Sequence, residues 1–402
     1  MNNIKLDFPI LDKKIRDKAI TYLDSAASTQ KPKQVINSIS EFLENSYENV
    51  HRGMNSLSID ATDLYEKSRD VAKNFINSNS TDEIIFTRGA TDSINIIANS
   101  LAEHLKEGDK IVVTELEHHS NYLPWMNLCK KLGLELKIIP ISKDGILSED
   151  DIINNCDDST KVLSLTHMSN VTGQILDIKK IKKSINKDTY VAVDGCQSIA
   201  HLKIDVKDLD CDFYSFSSHK LYGPSGIGIM YGKEDILNKL NPPTLGGGMI
   251  NEVSSNDFSY AMLPNKFEPG TPSIEAAIGF KTAMEYLNNN NYQDYFLNEK
   301  KLRSTLIKAL REFKEVVIYG SNEDGNATSI VSFNVKNQNF NDIATFLDQY
   351  GIMIRGGHHC CQPFMKKLGI PGSCRVSFGI YNDLNDIDHF IDSLKKTLKL
   401  LQ

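Results

Sequence analysis

No apolar run in the 402 residues approaches the roughly 18–20 that a helix needs to cross a bilayer. The first residues, Met1 to Phe8, hold no basic stretch leading into an apolar one. The expectation is a chain without a secretory leader, working in the cytoplasm. Positive charge is not in surplus: 45 Lys and Arg against 52 Asp and Glu leave a net charge of −7. That balance argues against nucleic acid as the main partner. Cysteine is sparse and scattered. Seven residues (129, 156, 196, 211, 360, 361 and 374) form an odd, dispersed set, which reads as reduced thiols and not as a disulfide framework. Repeats, Pro/Ser-rich linkers and low-complexity tails are missing too. What remains is an ordinary globular composition, 40% hydrophobic and 24% charged, with length for two or three domains.

The first half alternates two patterns. Short apolar runs read as strands at 83–87, 110–114, 134–139, 161–166, 190–194, 212–216 and 227–231. Helical periodicity fills stretches between them, as at 58–76, 122–132 and 179–185. Apolar strands alternating with helices predict βαβ units and a mostly parallel sheet covered on both faces. The pattern changes near Thr271. Helices at 273–287, 295–313, 341–350 and 384–401 then accompany strands at 316–318, 329–335, 352–355 and 375–378. Asn288 to Asn291 reads as a polar loop. The fold expected is α/β: a large domain over 17–272, plus a smaller α+β domain from 1–16 and 273–402.

In an open parallel sheet ligands bind beyond the carboxyl ends of the strands, and these ends are loaded. The 83–87 strand leads into Arg88-Gly89-Ala90-Thr91 at a helix start, a setting for an anion or for a plain N-cap. The next delivers Glu117-His118-His119-Ser120-Asn121. A third delivers His167-Met168-Ser169-Asn170, which a simple turn also explains. The fourth ends on Asp194-Gly195-Cys196-Gln197, where the carboxylate either caps the next helix or pairs with a cationic ring nitrogen. The fifth delivers Ser217-Ser218-His219-Lys220. A lysine squeezed between two core strands must be paired, neutral or covalently used. Five such ends in register suit one ligand with a phosphate, an aromatic ring nitrogen and an aldehyde, which is pyridoxal 5′-phosphate (PLP).

A second unusual segment is Arg355-Gly356-Gly357-His358-His359-Cys360-Cys361-Gln362-Pro363. Glycines and a proline mark a loop, and nearby cations raise the thiolate fraction of a cysteine. Four adjacent ligands cannot close on one tetrahedral zinc without strain; a metal site and an inert buried thiol are the competing readings. Arg375, expected at a strand start, is either a surface charge or a fork for a substrate carboxylate.

Taken together, these segments, with Tyr22-Leu23-Asp24-Ser25-Ala26-Ala27-Ser28, Asn49-Val50-His51-Arg52-Gly53 and Phe267-Glu268-Pro269-Gly270-Thr271-Pro272, resemble a known family nearly end to end. It is the class V aminotransferase-like group of fold-type I PLP enzymes, and within it the cysteine desulfurases of the SufS type. The resemblance implies that Lys220 holds the cofactor as a Schiff base, His118 stacks on its ring, Asp194 pairs with the ring nitrogen and Gln197 with the phenolic oxygen. It implies that Thr91, Ser217 and His219 hold the phosphate, with Thr271 reaching it from the other subunit of a homodimer. Asn170, Arg355 and Arg375 would bind the substrate, Arg375 at the carboxylate, and Cys360 would take the sulfur. The implied activity is conversion of L-cysteine to L-alanine with a persulfide on Cys360, supplying iron–sulfur cluster assembly through a small acceptor protein of the SufE or SufU type. Cys361 departs from the family, which more often has a small residue there. The Cys360 loop is short, unlike the long loop of IscS-type enzymes. Selenocysteine lyase, cysteine sulfinate lyase or a true aminotransferase are the alternatives within the fold. A metal-binding protein or a cofactor-free sulfur carrier are the alternatives outside it.

Overall fold

The computed structural model describes residues 4–290, 292–320 and 326–401. Its main sheet has seven strands: β1 (Ile84–Thr87), β2 (Lys110–Thr114), β3 (Glu135–Ile139), β4 (Thr160–Thr166), β5 (Tyr190–Asp194), β6 (Phe213–Ser217) and β7 (Gly228–Gly232). Their spatial order is β1-β7-β6-β5-β4-β2-β3. Strands β6, β5, β4, β2 and β3 pair in parallel, while β7 runs antiparallel to both β1 and β6. The inner strands are apolar on both faces because helices cover both; β1, β2, β6 and β7 are buried along their whole length. From β2 the chain steps outward to β3, then returns to β4 and proceeds the other way. That reversal opens a crevice beyond the carboxyl ends of the strands.

A second sheet is antiparallel throughout: β8 (Val316–Tyr319), β9 (Ile330–Val335), β10 (Arg355–Gly357) and β11 (Ser373–Ser377), in the order β8-β9-β11-β10. Helices Tyr292–Arg311, Phe340–Asp348 and Leu384–Leu401 pack on it, with Leu302, Leu306, Ile343, Phe390 and Leu394 sharing a core with Val331, Phe333 and Val376. The strand expected at 352–355 is two pieces. Ile352–Met353 pairs in parallel with Thr21–Tyr22, and Arg355–Gly357 turns away into the second sheet. Arg375 lies in the middle of β11, not at its start, because Ser373 and Cys374 pair with Gly357 and Gly356; neither pair carries a strand-like apolar signal.

Helix Ile274–Asn289 starts two residues past the expected domain boundary at 272. It packs on helices Lys33–Asn45 and Ser56–Phe75, and its Ile274, Ala277, Phe280 and Met284 join the core beneath the main sheet. Asn288 and Asn289 close that helix, while Asn291 lies outside the described residues. The N-terminal segment stitches the two sheets together. Ser377 donates its N–H to Leu23 O at 2.8 Å, and Leu23 donates to Met353 O at 2.9 Å. The next residue, Asp24, therefore sits where the two units meet.

Candidate active site

Past β6 the chain makes a 3₁₀ turn, Ser218–Lys220. The turn is tied down at its middle. The His219 carbonyl accepts from Thr29 N at 3.0 Å, Thr29 Oγ1 at 3.1 Å and Lys31 Nζ at 3.0 Å. Burial pushes the Lys31 amine down to about 8. Lys220, half-buried, has no hydrogen-bond or ion-pair partner among the described residues, and it lines a cavity of about 210 Å³. Asp194, at the end of β5, lines the same cavity. Its Oδ1 accepts the Cys196 N–H at 3.0 Å, so it does cap the following turn, and the buried Cys196 thiol lies beside the same carboxylate. Gln197 is buried beside it and donates from Nε2 to Ala26 O at 2.8 Å.

The loop after β2 supplies His118. Its Nδ1 accepts the Ser120 N–H at 3.1 Å. Burial first, then the positive charge of Lys220, push this imidazole down to about 3; the ring is neutral with its proton on Nε2. Below it lies Glu117, fully buried, whose two oxygens accept from Thr114 Oγ1 and Asn121 Nδ2, each at 2.7 Å. Burial raises Glu117 to about 8.

The anion end is built from backbone and hydroxyls. Helix Ala90–Leu101 starts after Gly89, whose φ of 144° suits glycine. Ala90 N donates to Ser217 Oγ at 2.8 Å, and Thr91 Oγ1 lies 2.6 Å from Ser120 Oγ. Gly228 of β7 lets this turn approach: a Cβ there would stand 2.5 Å from Gly89 Cα. His219 lines the same end, lowered to about 4 by burial and by Lys220.

On the opposite wall Arg375 is 2% exposed. It donates from Nη1 to Asn170 O at 3.0 Å and from Nη2 to Asp24 Oδ1 at 3.0 Å; its buried Nε has no partner among the described residues. Arg355 donates from Nε to Asp24 Oδ2 at 3.1 Å. One carboxylate thus aligns both guanidinium groups. Asn170 Nδ2 donates to His359 O at 2.8 Å, which fastens the cysteine turn to this wall.

The two adjacent thiols diverge. Cys360 is exposed and lines the cavity. Cys361 is fully buried among Phe364 and Met365, its Sγ 3.6 Å from Glu115 O, and burial pushes its thiol far up. Of the two thiols, Cys361 is thus the buried one and Cys360 is not. Among the described residues no cluster of three or more His, Cys, Asp or Glu is placed to hold a metal ion.

Of the residues singled out from sequence, ten meet at one cavity: Thr91, His118, Asn170, Asp194, Ser217, His219, Lys220, Arg355, Cys360 and Arg375. Gln197 lies just behind it, on Ala26. Thr271 does not join them; it is exposed and lines a separate cavity with Arg88 and Glu268. Sequence reasoning gave no role to Asp24, Lys31, Glu117 or Ser120. Glu117 had a signal, its place at a loaded strand end. Asp24 had none beyond its motif.

A doubly wound sheet whose strand ends offer an unpaired lysine, a carboxylate and an anion cradle defines a PLP-type enzyme of fold type I. The class-V aminotransferase family model matches residues 21–390. A probable cysteine desulfurase of Staphylococcus epidermidis is 44% identical over 393 residues, covering 97% of this chain and 95% of its own. A probable cysteine desulfurase of Staphylococcus aureus is 42% identical over 399 residues, 99% and 96% of the two chains. The crystal structure of the cysteine desulfurase CsdA from Escherichia coli superposes with a TM-score of 0.91 at 33% identity, covering 100% of this chain and 99% of that one. The apo cysteine desulfurase of Thermococcus onnurineus gives 0.93 at 36%, covering 99% and 98%. The chain belongs to the class-V aminotransferase family, in its cysteine desulfurase group.

The cofactor of this family is PLP, and the residues present fit it. Lys220 is free to meet an aldehyde, the Asp194 carboxylate lines the cavity where it can meet a ring N–H, and hydroxyls and backbone N–H groups wait at the helix start for a phosphate.

Proposed function

We propose that this protein converts L-cysteine to L-alanine and takes the sulfur onto Cys360. The observation that carries the reading is one cavity lined by both the unpaired Lys220 and the exposed Cys360, brought from separate sheets. Bound PLP supplies an aldehyde for amines and a protonated ring that withdraws electrons from Cα. Lys220 would hold it through Nζ, Asp194 would hold the ring N–H, His118 would cover the ring face, Gln197 would meet the phenolic oxygen, and Thr91, Ser217 and His219 would hold the phosphate. The rest falls to this chain's own groups. Arg375 and Arg355, aligned by Asp24, receive the substrate carboxylate beside Asn170 and fix the substrate's orientation. Once the substrate amine has taken its place, the released Lys220 Nζ would take the Cα proton as general base. Cys360 thiolate forms an S–S bond to the substrate sulfur as the Cβ–S bond breaks. The bonding pair stays on carbon, which takes up a proton and leaves as the methyl group of alanine.

The exposure of Thr271 and its distance from the chain's own cavity support a homodimer in which Thr271 completes the phosphate site of the other subunit. The exposure of Cys360 on a turn closed immediately by helix Gln362–Lys367 supports delivery to a small acceptor protein of the SufE or SufU type, in the service of iron–sulfur cluster assembly. Among the described residues no helix is long and apolar enough to cross a membrane; we place the enzyme in the cytoplasm. Lys220→Ala is the test. It should lose the visible absorbance of lysine-bound PLP and all alanine formation from L-cysteine in the absence of any amino-group acceptor. Alanine formed at the wild-type rate by Lys220→Ala would sink the assignment.

A further inference from the structure

His359 and Cys360 both have φ of +53°. Two consecutive non-glycine residues in the left-handed region are costly, and such backbone persists only where its surroundings over-determine it. Five hydrogen bonds hold the backbone of the turn. The His359 carbonyl accepts from Asn170 Nδ2. The Cys360 carbonyl accepts the His119 N–H at 2.7 Å, and the Cys361 N–H donates to His358 O at 2.9 Å. The other two bonds end on imidazoles. Cys360 N–H donates to His358 Nδ1 at 3.1 Å, and Gln362 N–H donates to His119 Nε2 at 3.2 Å. The two rings lie 5.7 Å apart, inclined by 35°. Neither imidazole has a part in the chemistry proposed above, and among the described residues neither belongs to a group of three or more possible metal ligands.

We propose that His358 and His119 are positioning residues for the sulfur-accepting thiol: as hydrogen-bond acceptors they hold residues 359–362 in the left-handed turn that sets Cys360 at the cavity while Cys361 stays in the core. The inference rests on Cys360 being the sulfur acceptor. The His358 bond runs from a side chain to the N–H two residues on, the geometry of an Asx turn, so an asparagine oxygen reproduces it. A glutamine oxygen at 119 reaches about where Nε2 stands. Removing either acceptor frees the turn to leave its strained conformation and dilutes the attacking geometry; the Arg375–Asp24 pair at the substrate carboxylate makes no bond to either imidazole.

The experiment compares PLP-loaded wild type, His358→Ala, His358→Asn, His119→Ala and His119→Gln. Steady-state alanine release, with a dithiol reductant present to return the Cys360 persulfide to thiol, gives kcat and KM for L-cysteine, and peptide mass mapping after L-cysteine without reductant gives the position of the added sulfur. The two alanine variants should lose about 3- to 10-fold in kcat, the worth of one hydrogen bond, with KM unchanged and PLP absorbance intact. His358→Asn and His119→Gln should recover most of that loss. Alanine variants with wild-type kcat would overturn the clamp, as would asparagine and glutamine variants no better than alanine. Failure of the underlying reading looks different: wild-type protein would then show no added sulfur on Cys360 at all.

Discussion

Glu117 offers a pH signature that belongs to the site's foundation. It is fully buried between β2 and the loop that carries His118, and burial, the largest influence, raises it from the ordinary 4.5 to about 8. The folded protein therefore holds this proton to a higher pH than the unfolded chain does. Its contribution to stability is complete below about pH 4.5 and drains away as pH rises through about 8. That span, at about 1.4 kcal/mol per pH unit, sets a ceiling of about 5 kcal/mol. Relaxation and water entry reduce it, so about 2–4 kcal/mol is expected. Glu117→Gln keeps an oxygen for one of the two donors, Thr114 Oγ1 and Asn121 Nδ2, and removes the titration. Urea unfolding of both proteins at several values between pH 5 and pH 8 isolates this group, since other titrations are common to both. Wild type should lose stability relative to Glu117→Gln as pH rises. Parallel curves across the window would refute the account of Glu117 as a buried, protonated acid.

Three further outcomes follow from packing and charge. Cys361→Ala should cost about 1–2 kcal/mol in denaturant unfolding and leave alanine production intact, because this thiol faces the core. Gly228→Ala should cost about 3 kcal/mol and weaken PLP retention by titration, because the new Cβ meets backbone at 2.5 Å and 2.6 Å, Gly89 Cα and Phe216 O. Asp24→Asn should raise KM for L-cysteine several-fold more than it lowers kcat, because the carboxylate that aligns Arg375 and Arg355 loses its charge.

The large sheet was legible because its strands are buried on both faces and read as unbroken apolar runs; β2 and β5 occupy the spans expected for them. The strand ends were legible for the same reason, since polar residues there interrupt an apolar pattern. Elements with little buried surface were not. The hairpin of Ile250–Val253 and Phe258–Tyr260 is largely exposed and leaves no period to read, whereas helix Lys33–Asn45 carries a helical apolar spacing at Val35, Ile36, Ile39, Phe42 and Leu43 that was overlooked. Asp24 was silent as a functional residue. Its link to Arg375 spans 351 residues and arises from a single parallel bridge between Asp24 and Ser377, which no local pattern encodes. Cys360 and Cys361 look equivalent in sequence. Only the two left-handed residues at 359 and 360 send one thiol out and the other in.

The central claim is that sulfur from L-cysteine lands on Cys360. The direct measurement is peptide mass mapping of PLP-loaded protein after a short incubation with L-cysteine, without reductant, followed by alkylation. The account predicts one added sulfur on the peptide, at Cys360 and not at Cys361. It also predicts no added sulfur in a Cys360→Ala protein that keeps its PLP absorbance. A persulfide at Cys361, or alanine produced at the wild-type rate by Cys360→Ala, would contradict it.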